Sequence, residues 1–158
     1  MFAKSAVFIG PLTICPVKAL VVGHAEPAAA LTSALSDRGI DAELHAPARA
    51  AGGRAIEALA AALIELEARL EAERPRLAIA VGTGDAPLAL AISAAKLGVP
   101  VVAWVEDPGR AAEELDRAEE RILRVLADMD AGPIGDGVAA FEAAERISSW
   151  AHLNLDGS

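Results

Sequence analysis

The segment from Arg74 to Arg110, RPRLAIAVGTGDAPLALAISAAKLGVPVVAWVEDPGR, leaves this chain few folds to choose from. Leu77 to Val81 is a short, wholly apolar run, which reads as a strand buried on both faces. Gly82-Thr83-Gly84-Asp85 is a Gly-rich turn, and the stretch from Pro87 to Leu97 is apolar nearly all round, which predicts a helix covered on more than one side. Gly98 supplies that helix's stop, and Pro100 opens a second buried strand, Val99 to Val105, at a position where a lost donor is tolerated. Two strands with no polar face, joined by a helix, make a parallel β-α-β unit. The acids that follow them, Asp85 and Glu106, then lie along the sheet edge where open α/β folds bind ligands.

The rest of the chain repeats the alternation. Val17 to Gly23 is a strand, and Pro27 suits the first turn of a helix over Ala28 to Ser36. A short strand, Asp41 to His45, and a loop from Pro47 to Gly53 follow. The next helix, Arg54 to Glu73, carries Ile56, Leu59, Leu63, Leu66 and Leu70 at spacings of three and four, one apolar face. Beyond Arg110 the pattern predicts a charged helix, Ala111 to Leu123, a strand, Val125 to Met129, and a last helix, Val138 to Trp150. The expected architecture is α/β: a doubly wound parallel sheet of about five strands with helices on both faces, a Rossmann- or flavodoxin-like three-layer sandwich. One domain spans residues 17–150, with an N-terminal arm or edge strand (1–16) and a polar tail (151–158).

Composition narrows the partners. The net charge is −9, with no basic stripe and only 3% aromatic residues, so nucleic acid is not an expected partner. The single cysteine, Cys15, excludes an internal disulfide, and it reads as a small buried hydrophobe. The three histidines show no paired spacing, so neither a metal site nor a cofactor is expected. No apolar window approaches the ~18 residues of a membrane span, and residues 1–16 carry no clear cleavage signal, which predicts a cytoplasmic protein. The alanine-rich, small-residue surface predicts a homo-oligomer or a partner chain.

With strand order 2-1-3-4-5, the switch point falls between the first and third strands. Its edge would gather Gly23 and His24 after the first strand, Gly82, Thr83, Gly84 and Asp85 after the third, and Glu106 and Arg110 after the fourth. An imidazole and two carboxylates suffice for acid/base chemistry when their surroundings separate their pKa values. Gly82 and Gly84 let a ligand approach the backbone, and the following helix offers unpaired N–H groups to an anion. A simpler reading stands beside this one: the glycines only reverse the chain, and Asp85 is the N-cap of its helix. Glu113, Glu114, Asp116, Glu119 and Glu120, interleaved with Arg110, Arg117, Arg121 and Arg124, read as a solvated ion-pair face.

Around these residues the segment LIELEARLEAERPRLAIAVGTGDAPLALAISAAKLGVPVVAWVEDPGR resembles the first domain of non-hydrolysing UDP-N-acetylglucosamine 2-epimerases, of glycosyltransferase-B type architecture. Gly84 and Asp85 stand where that family has a Gly-Asp pair, and Glu106 and Arg110 stand where it has the Glu and Arg of its second motif. Glu113, Glu114 and Arg117 resemble its Glu-Glu-x-Asn-Arg run. The resemblance implies Asp85 and Glu106 as an acid/base pair assisted by His24, Arg110 as an anion contact, Glu114 as a further ligand contact, and a UDP-sugar as the small-molecule ligand. Departures are plain: Thr83 and Trp104 replace family histidines, the first strand lacks the family's Arg, and the resemblance covers the family's first domain alone.

Two readings follow. One is an epimerase-like protein that binds a nucleotide-sugar or similar phosphorylated ligand without being a complete epimerase alone. The other is a non-catalytic assembly or partner-binding module. An enzyme would bring Asp85 and Glu106 to one ligand atom. An assembly module would use Asp85 only as a helix cap and leave Glu106 in open solvent.

Overall fold

The computed structural model describes residues 16–47, 54–106, 114–135 and 137–155. Among these, the strands are β1 (Lys18–Gly23), β2 (Asp41–Leu44), β3 (Leu77–Val81), β4 (Val101–Val105) and β5 (Met129–Pro133). The helices are α1 (Ala25–Ser36), α2 (Ala55–Glu73), α3 (Asp85–Leu97), α4 (Glu114–Leu126) and α5 (Gly137–Asn154). The strands form one parallel sheet in the order β2-β1-β3-β4-β5, the doubly wound arrangement expected from the alternation.

Both faces of the central strands are covered, which is why β3 and β4 have no polar residue to present. Val21, Ile79, Val81, Val102 and Trp104 point toward α1 and α5, where Leu31, Leu35, Ala143 and Ile147 meet them. Leu20, Val22, Ala78, Ala80, Ala103 and Val105 point the other way, onto Leu66, Leu70, Leu90 and Leu123 of α2, α3 and α4. Helix α3 is gripped by the sheet and by α2 and α4 together, so seven of its residues are buried, as its all-round apolar sequence predicts. Its small side chains Ala89, Ala91 and Ala94 let the neighbouring helices lie close.

The C-terminal third departs from expectation. The strand expected over Val125 to Met129 lies at Met129–Pro133, because α4 runs on to Leu126. Leu123 anchors that last turn in the core while Val125, 83% exposed, sits on its outer side. Strand β5 contains Asp130, Gly132 and Pro133, poor strand formers, yet it is an edge strand and takes its pairing from β4 through Val102↔Met129 and Ala103↔Asp130. Helix α5 extends past Trp150 to Asn154, and Leu155 is buried. Residues 1–15, and with them the expected arm and Cys15, lie outside the described residues.

Candidate functional site

The register fixes where the strand tips fall. Gly23 pairs with Val81, and Val81 with Trp104, so β1, β3 and β4 end at one level. At the switch point between β1 and β3 there is an open cleft of about 570 Å³. Gly23, His24 and Ala25 form its β1 side, and Thr83, Gly84, Asp85, Ala86 and Pro87 its β3 side, with alanines of α2 closing the back.

Two glycines make this approach possible. A Cβ on Gly23 would collide with the Val81 carbonyl, so β1 and β3 come this close only because the position carries no side chain. Gly82 has φ +82°, and a Cβ there would sit 3.0 Å from the His24 ring, so the imidazole lies flat over the turn. His24 then binds the turn twice. Its amide donates to the Val81 carbonyl (3.2 Å), and its Nε2 meets the Thr83 carbonyl at 2.8 Å. A carbonyl only accepts, so Nε2 carries a proton.

Asp85 is the first residue of α3 and lines the cleft. It is not the helix cap: Gly84 holds that position, and no side-chain cap hydrogen bond is made. An exposed carboxylate in a first turn is favoured by the helix dipole. It is also free to accept hydrogen bonds from a ligand. Glu106 is exposed at the end of β4 and is not among the described residues that line this cleft. Its carbonyl accepts from Arg124 at 3.5 Å. Gly82 is buried under His24, and Glu114 is exposed at the start of α4; neither lines the cleft. Arg110 and Glu113 lie outside the described residues. Trp104, where the resembled family has a histidine, is wholly buried and donates its indole N–H to the Pro133 carbonyl at 3.0 Å. It offers nothing to the cleft. His45 is half-buried and pairs with Glu65 at 2.7 Å.

The expected solvated face of α4 is corrected at two positions. Glu119 and Glu120 are 8% and 4% exposed. Glu120 is paired with Arg124, which also reaches Asp130 and so ties α4 to β5. The Glu119 carboxyl lies close to Gly84 and Asp85 at the start of α3. Burial pushes that carboxyl above its ordinary pKa; the Gly84 amide pulls it down, and the charges of Asp85 and Asp116 add to the rise. The sequence held a signal for this: Glu119 precedes the buried Leu123 by four residues, one turn away on the same face.

No known family model matches this chain, and no curated protein matches it in sequence. Solved structures do match in fold. The S. aureus MnaA-UDP co-structure has a TM-score of 0.60 at 18% identity, over 72% of this chain and 36% of that one. UDP-GlcNAc 2-epimerase from Neisseria meningitidis, bound to UDP-GlcNAc, gives 0.59 at 17% identity, over 70% of this chain and 38% of that one. The UDP-N-acetylglucosamine 2-epimerase from Rickettsia bellii gives 0.63 at 13% identity, over 90% of this chain and 50% of that one. This chain therefore has the Rossmann-like fold found in part of the UDP-N-acetylglucosamine 2-epimerases. It spans between about a third and a half of their length.

Proposed function

We propose that this chain binds the sugar portion of a nucleotide-sugar, or a similar phosphorylated small ligand, in the β1–β3 cleft, and that it is not a complete epimerase by itself. The observation that carries the reading is the make-up of the cleft: His24, Thr83 and Asp85 on small apolar walls of Ala25, Ala58, Ala62, Ala86 and Pro87. Asp85 accepts hydroxyl hydrogens, and the walls suit the apolar face of a pyranose ring. No Lys or Arg is among the described walls, and Pro87 removes one N–H from the α3 N-terminus. The diphosphate therefore belongs outside this cleft, and Arg110, the anion contact implied by the resemblance, is its proposed partner. The UDP and UDP-GlcNAc complexes of similarly folded proteins support the ligand class.

Catalysis by this chain alone is not part of the proposal. Acid/base work needs its groups within hydrogen-bond reach of one reacting atom, and Asp85 is the one carboxylate among the described residues that line the cleft. Thermal-shift measurement with UDP-N-acetylglucosamine, UDP, N-acetylglucosamine and phosphate tests the reading. The expected result is stabilisation by UDP-N-acetylglucosamine that is lost in Asp85→Ala; no shift with any of the four overturns it.

A second reading, assembly through a helix face, is favoured by one observation. Leu115, Ile122 and Val125 of α4 are 66%, 45% and 83% exposed and share one side of the helix at i, i+7 and i+10. Light scattering on the full chain distinguishes a monomer from an oligomer.

A further inference from the structure

The edge strand β2 meets helix α2 through polar side chains. Side chains alternate along a strand, so Glu43 and His45 share one face, and Ala42 and Leu44 share the other. Ala42 packs against the apolar cluster that holds Leu31 and Leu35 of α1. None of the four β2 residues belongs to the cluster that holds Leu66 and Leu70 of α2. Two polar contacts join the elements instead. Nε2 of His45 meets the Glu65 carboxylate at 2.7 Å, and the Arg69 guanidinium meets Glu43 at 2.7 Å. Residues 65 and 69 are one helical turn apart, and 43 and 45 are neighbours on one strand face, so helix and strand meet in step.

The same stripe of α2 reaches the cleft. Ala58, Ala62, Glu65 and Arg69 follow at spacings of four, three and four, along one side of the helix. Ala58 and Ala62 line the cleft, as do Ala46 and Pro47, which directly follow His45. We propose that His45 and Glu65 are positioning residues: their contact clasps α2 to the end of β2, and so fixes the Ala58 and Ala62 wall of the cleft that Asp85 lines. The role in recognition rests on the sugar-binding reading above; the clasp itself does not.

The His45–Glu65 contact is the one beside the cleft, and it is the more sheltered of the two, since Glu43 is half exposed. Water and salt weaken an exposed pair, whereas a sheltered one keeps more of its strength. Both ends of the clasp are anchored. The His45 amide donates to the Val21 carbonyl at 2.9 Å, which carries the β1–β2 ladder one residue past the strand. Leu66, next to Glu65, is fully buried in the core. A carboxylate only accepts, so Nε2 carries the proton of this bond. Alanine has no side-chain rotamers with which to adapt, so the wall of Ala58 and Ala62 moves only when α2 moves. The position of the helix therefore sets the width of the cleft.

Amide hydrogen exchange on the full chain tests the clasp without a ligand. His45→Ala and Glu65→Ala are each expected to speed exchange at Ala62 and Leu63 about tenfold, the scale of one lost charge-assisted bond, with Leu70 near its wild-type rate. UDP-N-acetylglucosamine affinity is expected to fall about fivefold in each, and no further in the double variant, because either change opens the same clasp. Glu65→Gln keeps an acceptor of the same length and is expected to hold affinity within about twofold of the wild type. His45→Phe keeps a ring and removes the donor, and gives the same readings as His45→Ala where the alanine variant does not fold. Unchanged exchange at Ala62 and Leu63 in the single variants overturns the clasp, and so do affinity losses that multiply in the double variant. If exchange quickens as described and UDP-N-acetylglucosamine does not bind the wild-type chain, the clasp stands and the sugar-binding reading fails. If the wild type and every variant bind equally, the sugar-binding reading stands and the positioning role fails.

Discussion

Replacing Gly82 by alanine probes the site's construction directly, because a paired control exists elsewhere in the chain. Gly82 and Gly39 have nearly the same φ, +82° and +80°, so an alanine meets a positive-φ penalty at each, about 1–2 kcal/mol. Their surroundings differ. A Cβ on Gly39 meets nothing within 4 Å, whereas one on Gly82 sits 3.0 Å from the His24 ring. The ring has to shift, and its 2.8 Å bond to the Thr83 carbonyl stretches or breaks. That bond contributes about 0.5–1.5 kcal/mol net, and this is the excess destabilisation expected for Gly82→Ala over Gly39→Ala. With a urea slope of about 2 kcal/mol/M, the two midpoints differ by roughly 0.25–0.75 M. The assay is urea unfolding of both variants and of each combined with His24→Ala. The excess should vanish for Gly82→Ala when His24 is absent and be unaffected for Gly39→Ala. Coupling between positions 82 and 24 below about 0.3 kcal/mol, the range of independent sites, refutes the account of the ring lying on the turn.

Other perturbations follow from the same geometry. Glu119 has a folded-state pKa above its unfolded value, so its contribution to stability is greatest below the unfolded pKa and is lost as pH rises through the folded one. Glu119→Gln is therefore expected to raise the melting temperature at neutral pH and leave a flatter pH profile than the wild type; an unchanged profile contradicts the buried carboxyl. Asp85→Ala should cost the fold only about 0.3–1 kcal/mol, the worth of an acid in a first helical turn, so its ligand defect appears in a chain that melts almost normally. Leu115→Glu with Ile122→Glu should lower the solution mass by light scattering if α4 is an assembly face, with little change in melting temperature, since both side chains are largely exposed. Leu66→Ala, at a site with no exposure, should cost about 2–5 kcal/mol in chemical unfolding and serves as a core control.

How far the sequence alone carries depends on which force sets each element. Strands β3 and β4 were legible because burial on both faces leaves only apolar residues, and their position across the sheet followed from the alternation with helices. The gathering of His24, Thr83, Gly84 and Asp85 at one cleft also followed from topology, since parallel strands bring their carboxyl ends to one edge. Strand β5 was not legible: Met129-Asp130-Ala131-Gly132-Pro133 has the composition of a loop and is a strand only through its pairing with β4. Asp85 as a cap is the expectation that local sequence favours, yet Gly84 takes the cap position and no side-chain cap hydrogen bond is made. The charge pattern of α4 misled for a related reason. Paired acids and bases at helical spacing look solvated in one dimension, and Glu119 and Glu120 are buried by α3 and Arg124 in three.

The account rests on the β1–β3 cleft being where the ligand goes, and a residue-resolved titration with UDP-N-acetylglucosamine measures that most directly. Amide shifts should concentrate at Gly23, His24, Thr83, Gly84, Asp85 and Ala86. Saturating shifts confined to β5 and α5, or none anywhere at millimolar ligand, contradict it.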